Sequence, residues 1–257
     1  MRDLSRQSER AWDFVSSTCF AVDLVTFDIG GTLLTFRPDQ TAEWVKVLDE
    51  IGVCADEGHI DDAVARERPR ARQRRLSEVP ADHRVDPGSG EARRQTFIHN
   101  VLQQAGVPSA QLEQATDAVK AAFDSPRMYV AYEDALPTLR ELWMRGLKLA
   151  AISNTWPSMP RILQSFGFDR YLGYWVMSEF VGVEKPAAEI FERALDIGAT
   201  TPARAVHVGD DWETDVTGAR GVGMGAIFLD RSGKPDDMQH AGVIVIHRLD
   251  ELLTLIG

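Results

Sequence analysis

Residues 26–34 read Thr-Phe-Asp-Ile-Gly-Gly-Thr-Leu-Leu and follow an apolar run, Val22-Asp-Leu-Val25. A carboxylate, Asp28, therefore stands where a buried strand gives way to a glycine-rich turn. Three readings compete for it: a nucleophile at a strand tip, a phosphate-cradling turn of a kinase, or an ordinary tight turn. The rest of the chain decides between them.

Short apolar runs recur along the sequence at Val22–Ile29, Leu147–Ser153, Tyr174–Ser178, Ala205–Val208, Ala226–Leu229 and Val243–His247. Continuous apolar runs of this length suit strands covered on both faces. Segments with helical spacing lie between most of them: Leu136–Leu147, Ala187–Leu195 after Pro186, Glu213–Gly221 and Leu249–Ile256. Such alternation predicts an α/β fold, a doubly wound parallel sheet with helices on both sides. The alternation breaks between Arg37 and Arg127. There, Gln40–Ile51, Ile60–Arg74, Glu91–Ala105 and Gln111–Phe123 read as four helices inserted after the first strand, with hinges near Pro38 and Arg127. The expected organisation is a leader over 1–20, an α/β core from 21–37 and 128–257, and a helical cap over 38–127.

The 257 residues, 44% hydrophobic, suffice for one sizeable core with a smaller module. A formal charge of -11 argues against general nucleic-acid binding. No run reaches the roughly 20 apolar residues of a membrane span. The first twenty residues carry Asp3, Glu9 and Asp13, which argues against a signal peptide. Two cysteines, Cys19 and Cys54, form neither a metal spacing nor a disulfide framework, so a cytoplasmic setting is expected. Oligomeric state is not encoded in any recognisable pattern.

In open parallel sheets, ligands bind at the carboxyl ends of the strands. Those ends carry Asp28, then Ser153 and Asn154, then Lys185-Pro186, then Gly209-Asp210-Asp211 with Asp215 beyond. Several carboxylates on one rim repel unless a cation joins them, and an oxygen-only set favours Mg²⁺. A carboxylate can also attack phosphorus, with lysine and Mg²⁺ offsetting charge on the transferred group. Ser153 and the backbone N–H groups after Asp28 suit the remaining phosphoryl oxygens.

The ordered set "FDIGGTLL", "ISNT", "EKP" and "HVGDDWETD" resembles the four motifs of the haloacid dehalogenase superfamily, and the helical insertion resembles that family's type-1 cap. The resemblance runs from about Val22 to the C-terminus. It implies a Mg²⁺-dependent phosphatase acting on a small phosphorylated metabolite through an aspartyl phosphate. It makes Asp28 the nucleophile and a metal ligand, with Lys185 bridging it to the phosphoryl oxygens. Ser153 and Asn154, with Gly31 and Thr32, would bind phosphate. Asp210, Asp211 and the Gly30 carbonyl would complete the metal set, and Asp215 would support Lys185 or its loop.

One departure matters. The family's first motif is Asp-x-Asp-x-Thr, and Gly30 stands at the second Asp. That residue protonates the leaving alcohol in family phosphatases, help typically worth about 10²–10⁴ in rate. The resemblance therefore leaves three outcomes open: a cap residue such as Asp39 or His83 supplies the proton, the leaving group, as in an acyl or aryl phosphate, needs none, or the protein binds a phosphorylated ligand or a protein partner without turnover. Family dehalogenases do not need the metal, and the Asp210-Asp211 pair argues against that chemistry. Phosphonate-cleaving relatives need a cap lysine, and Lys46 and Lys120 sit in no recognisable motif. A sugar-kinase-like fold would follow "DIGGT" with a hairpin strand and a second phosphate loop. Here Pro38 and a helical pattern follow instead.

Smaller features yield further expectations. "RERPRARQRR", Arg66–Arg75, reads as a solvated cap face with Pro69 kinking or ending the helix, or as an arginine rim for an anionic substrate tail. Trp156 is expected to wall the site's entrance or to pack, Trp212 to cover the site's edge or the cap junction, His207 to be a packed core residue, and the Leu/Trp stripe of Leu136–Leu147 to be core.

Overall fold

A computed structural model describes residues 20–232 and 242–257; the expected leader lies outside the described residues apart from Phe20. Six strands form one parallel sheet. They are β1 (Leu24–Phe27), β4 (Lys148–Ser153), β5 (Tyr174–Met177), β6 (Ala205–Gly209), β7 (Gly225–Leu229) and β8 (Ile244–Ile246), in the order β5-β4-β1-β6-β7-β8. Each predicted strand is present, with its ends shifted by at most two residues; β6 and β7 each extend one residue beyond the prediction.

The strands alternate their side chains between two apolar clusters. Val25, Phe27, Leu149, Ala151, Val206 and Val208 face one; Leu24, Ala150, Ile152 and Ala205 face the other. All four residues of β1 are buried. A strand covered on both faces cannot tolerate many polar groups, which is why these runs are apolar throughout. Helix α5 (Ala135–Met144) serves the first face, burying Leu139 and Leu142. Helix α6 (Ala188–Gly198) serves the second with Ile190, Phe191, Ala194 and Leu195. Trp143 departs from the expected α5 stripe: it is about half exposed and leans on Tyr171 at 6.0 Å.

The chain reverses its winding at β1. Successive strands run outward through β4 and β5, then resume on the other side with β6, β7 and β8. In register, Phe27 pairs with Ala151 on one side and Val208 on the other. This switch point opens a crevice directly beyond Phe27, and Asp28 is the next residue.

Between β1 and β4 the chain makes a ribbon and a bundle. Strands β2 (Leu34–Phe36) and β3 (Tyr129–Ala131) pair antiparallel, Thr35 opposite Val130. Four helices leave and return through this ribbon: α1 (Gln40–Glu50), α2 (Glu57–Glu78), α3 (Ser89–Gln104) and α4 (Leu112–Phe123). A strand does therefore follow the first motif, although it pairs with β3 and not with β1. Helix α2 runs through Pro69 without ending there. Its arginines divide. Arg74 joins Asn100 and Gln104 on the buried Glu67 carboxylate, while Arg68 and Arg70 lie exposed.

The bundle rests on the sheet at two places. On one side Glu184 accepts from Arg75 at 2.8 Å and from Arg93 at 2.6 Å, and Glu179 accepts from the N–H groups of Gly88 and Gly90 at the start of α3. A carboxylate at a helix N-terminus satisfies donors that have no partner within the helix. On the other side the Arg94 guanidinium lies over the Trp156 ring at 4.6 Å, and Ser158 donates to Asp124 at 2.6 Å. Among the described residues no helix is long and apolar enough to cross a membrane.

Candidate active site

Asp28 leaves β1 with its N–H bonded to the Val208 carbonyl at 2.9 Å. The next residues fold back tightly. Gly31 adopts φ +76°, and its N–H reaches the Leu34 carbonyl at 2.8 Å. A side chain at Gly31 would be doubly excluded, because its Cβ would lie 2.0 Å from Asp210 Oδ2. At Gly30 a Cβ meets nothing within 4 Å. The two neighbouring glycines thus differ. We expect Gly31→Ala to lose about 1–3 kcal/mol and Gly30→Ala to stay within roughly 0.5 kcal/mol of the parent, as read by urea denaturation.

Lys185 crosses to the Asp28 loop from the far side of the crevice. Its Nζ donates to Asp28 Oδ1 at 2.6 Å and to Asp215 Oδ1 at 2.5 Å, and all three side chains are largely buried. An ammonium removed from water in this way needs close partners. Burial opposes its charge, but the two carboxylates outweigh burial and hold the lysine pKa above its ordinary value. Burial raises the Asp28 carboxyl, with Lys185 pulling the other way. Asp215 is pushed up by burial but is held well below the usual carboxylate range by Lys185 and His207.

Behind the lysine runs a buried chain. His207 Nε2 lies 3.2 Å from Asp215 Oδ1, and its Nδ1 lies 2.8 Å from Thr26 Oγ1. His207 is thus a packed residue, as expected, and also the support of Asp215. Asp215 Oδ2 accepts from the Asp211 N–H at 3.0 Å. Asp215 sits in a wide turn of π-helical form, Trp212–Thr217, where a regular helix was expected from Glu213. Short π segments of this kind gather at functional sites.

The remaining predicted residues are placed as follows. Asp28, Asp210 and Asp215 bring carboxylate oxygens within 4.8 Å of one another. Loss of water around Asp210, followed by repulsion from Asp28 and Asp215, pushes its carboxyl up to about 7. Asp211 lines the cavity but turns Oδ1 onto the Thr214 N–H as a helix cap. Ser153 ends β4 on the cavity wall. Asn154 lies on the same wall with its amide engaged at both ends: Nδ2 donates to the Lys185 carbonyl and Oδ1 accepts from the Lys185 N–H. It fastens the second strand end to the lysine loop. The Thr32 side chain is fully buried and does not line the cavity.

The cavity holds about 360 Å³. Its floor is the carboxylate–lysine cluster; its sides include Leu34, Phe36, Tyr129, Trp156 and Met159, with Arg75 from α2. Trp156 therefore stands at the site, as expected. Trp212 does not: it packs edge-on against Phe228 at 5.7 Å, away from the cavity lining. Asp39 and His83 are likewise absent from the lining, and Asp39 is paired with Arg37. A larger open recess of about 700 Å³ lies elsewhere, walled by Glu133, Arg140, Arg145 and Arg248, and contains none of the strand-end motifs.

Comparison with known proteins identifies the family of this fold. Residues 22–223 match the family of haloacid dehalogenase-like hydrolases. The chain belongs to this family. It is 30% identical over 234 residues to haloacid dehalogenase-like hydrolase domain-containing protein 3 of Mus musculus, covering 91% of this chain and 92% of the relative. Over 150 residues it is 33% identical to a phosphoserine phosphatase of Thermus thermophilus, covering 58% of this chain and 59% of that one. Among solved structures it resembles a HAD phosphatase from Thermococcus onnurineus, with a TM-score of 0.59 and 26% identity over 90% of this chain and 95% of the other. A 2-haloacid dehalogenase from Pseudomonas syringae gives the same score and identity, over 90% and 98%. A haloacid dehalogenase-like fold therefore accommodates both chemistries, and the residues of the site must separate them.

Proposed function

We propose that this member of the family is a Mg²⁺-dependent phosphomonoester hydrolase that works through an aspartyl phosphate on Asp28, with a small phosphorylated molecule as substrate. The observation that carries this reading is the placement of Lys185 between Asp28 and Asp215, with Asp210 beside them. The four motifs, far apart in sequence, meet in one crevice.

The donor set fits a hard cation. It is made of carboxylate oxygens that repel one another, and burial with the neighbouring charges of Asp28 and Asp215 raises the Asp210 carboxyl, a strain that a cation would relieve. Asp28 and Asp210 would hold Mg²⁺ with the Gly30 carbonyl, and Asp211 would contribute directly or through water. When bound, the ion would offset negative charge on the phosphoryl oxygens. The chain itself does the rest. Asp28 presents a carboxylate at the switch point, Lys185 favours its ionised form and orients it, and Ser153 Oγ would meet the phosphoryl oxygens. The bundle of α1–α4 would act as the cap, closing the crevice to water. Phosphatases recur among the sequence relatives: beside the phosphoserine phosphatase stands a glyceraldehyde 3-phosphate phosphatase of Methanopyrus kandleri, 35% identical over 128 residues, 48% of this chain and 53% of the relative.

Gly30 favours a second reading, a family member that binds a phosphorylated ligand or a partner protein without turnover. Hydrolysis of p-nitrophenyl phosphate with and without Mg²⁺ separates the two. Mg²⁺-dependent turnover supports the hydrolase, and none on a broad phosphate panel supports the binder.

Metal affinity should follow pH. A proton on Asp210 competes with the cation, so the apparent Mg²⁺ affinity should fall as pH drops below about 7, approaching about tenfold per pH unit once the carboxyl is mostly protonated. Calorimetric titration of Mg²⁺ at several pH values reads this directly.

A further inference from the structure

Cleaving an alkyl phosphate expels an alkoxide, whose conjugate acid is about as weak as water, near 16. An enzyme normally hands such an oxygen a proton. The cavity around Asp28 holds few groups able to do so. Among the described residues lining it, the candidates are four aspartates, Lys185, Tyr129 and Arg75. Asp28 is the attacking group. Asp210 lies in the acidic cluster that a cation would join, and a carboxylate holding a cation carries no proton. Asp215 is 1% exposed and bonded to Lys185, His207 and the Asp211 N–H. Lys185 is committed to two carboxylates. Asp211 is tied to the Thr214 N–H, and the Tyr129 hydroxyl donates to the Phe123 carbonyl at 3.1 Å. A guanidinium such as that of Arg75 does not release its proton.

The place where a donor would fit is open. Position 30 lies two residues past the nucleophile, faces the cavity, and a Cβ there meets no atom within 4 Å. The cavity walls bring in Leu34, Phe36, Trp156 and Met159 beside Arg75 and Tyr129. The apolar side chains suit a flat or apolar leaving group and offer it no proton.

Resting on the phosphatase reading, we propose that this site selects phosphates whose leaving oxygen departs as a stable anion without being protonated: aryl and acyl phosphates. A phenol ionises near 10 and a carboxylic acid near 4, both far below an alcohol. One oxygen of Asp28 attacks phosphorus. The new O–P bond forms as the bond to the leaving oxygen breaks, and the bonding pair departs with that oxygen as phenolate or carboxylate. Water then attacks the same phosphorus, the pair of the breaking bond returns to Asp28, and the proton of the water ends on the released phosphate. No proton donor is needed in the first half. Position 30 offers no base for the second half either, so the phosphorylated enzyme should accumulate and product should appear as a burst.

The test is a leaving-group series on the full chain with Mg²⁺: aryl phosphates from p-nitrophenyl to phenyl, acetyl phosphate, and glycerol phosphate as an alkyl ester. The logarithm of kcat/KM should fall steeply as the leaving group becomes more basic. Glycerol phosphate should be slower than p-nitrophenyl phosphate by about 10³ or more, and Gly30→Asp should raise its rate by roughly 10²–10⁴ while flattening the series. Acetyl phosphate faster than the aryl line extrapolates assigns acyl substrates; slower assigns aryl ones. A flat series with Asp28-dependent turnover of glycerol phosphate overturns the proposal and leaves the phosphatase reading standing. No turnover of any ester, with wild type equal to Asp28→Asn, removes that reading and the proposal with it.

Discussion

Asp28→Asn should abolish phosphate-ester turnover and leave the fold intact. The exchange is nearly isosteric and replaces only one carboxylate oxygen, the proposed nucleophile, with loss of one charge. Losses on removing a nucleophile are large, on the order of 10⁴ or more in kcat. Stability should change little, because Lys185 keeps its 2.5 Å partner in Asp215 and the buried cluster loses one of its mutually repelling carboxylates. The pKa of Asp210 should drop for the same reason, since the neighbouring Asp28 charge helps to raise it. Three readouts therefore separate a chemical role from a structural one: p-nitrophenyl phosphate turnover, a denaturation midpoint and the pH dependence of metal binding. A variant that keeps a tenth of the parental rate would show that Asp28 is not the attacking group.

Much of this arrangement was legible in the sequence because the core strands are buried on both faces. Val25, Phe27, Leu149 and Val208 could be read as sheet residues without knowing their partners. The strand ends followed from the same runs, and the general rule for open parallel sheets put the reactive residues there. What escaped was structure that depends on distant pairing. Strands β2 and β3 have three residues each, and neither carries a pattern of its own. They exist because Leu34 and Ala131 meet across an inserted bundle of four helices. Asn154 was read as a phosphate ligand, yet its amide spans two loops that the sequence places 31 residues apart. His207 was readable as buried; its bond to Asp215 was not, because eight residues and a π-helical turn separate them. A histidine inside an apolar strand with an aspartate in the following turn is the signal that would have pointed there. The arginine run of α2 shows the limit of composition: identical residues at Arg74 and Arg75 serve a buried carboxylate within the bundle and one on the core.

Lys185→Met carries the largest expected effect on stability. The lysine is 3% exposed and is the counter-charge between two buried carboxylates. Methionine fills a similar volume but leaves Asp28 and Asp215 facing each other without it. Breaking a buried ion pair by removing one partner typically costs about 3–5 kcal/mol. The sign of the pH dependence is diagnostic. In the parent, Asp215 has a depressed pKa, so its contribution is present above the unfolded value and is lost only as strong acid protonates it. In the variant, the two carboxylates repel and burial dominates, so at least one pKa is raised above the unfolded value. The folded state then binds the extra proton, and stability increases as pH falls through that raised pKa. Parent and variant should therefore converge in stability on acidification and diverge as pH rises. Added Mg²⁺ should also narrow the gap, because the cation supplies part of the missing charge. Turnover should stay low even where the fold is restored, since no ammonium remains beside Asp28. Urea denaturation across pH, with and without Mg²⁺, measures all of this. A variant with a constant deficit at every pH would mean that Lys185 stabilises through packing and not through charge.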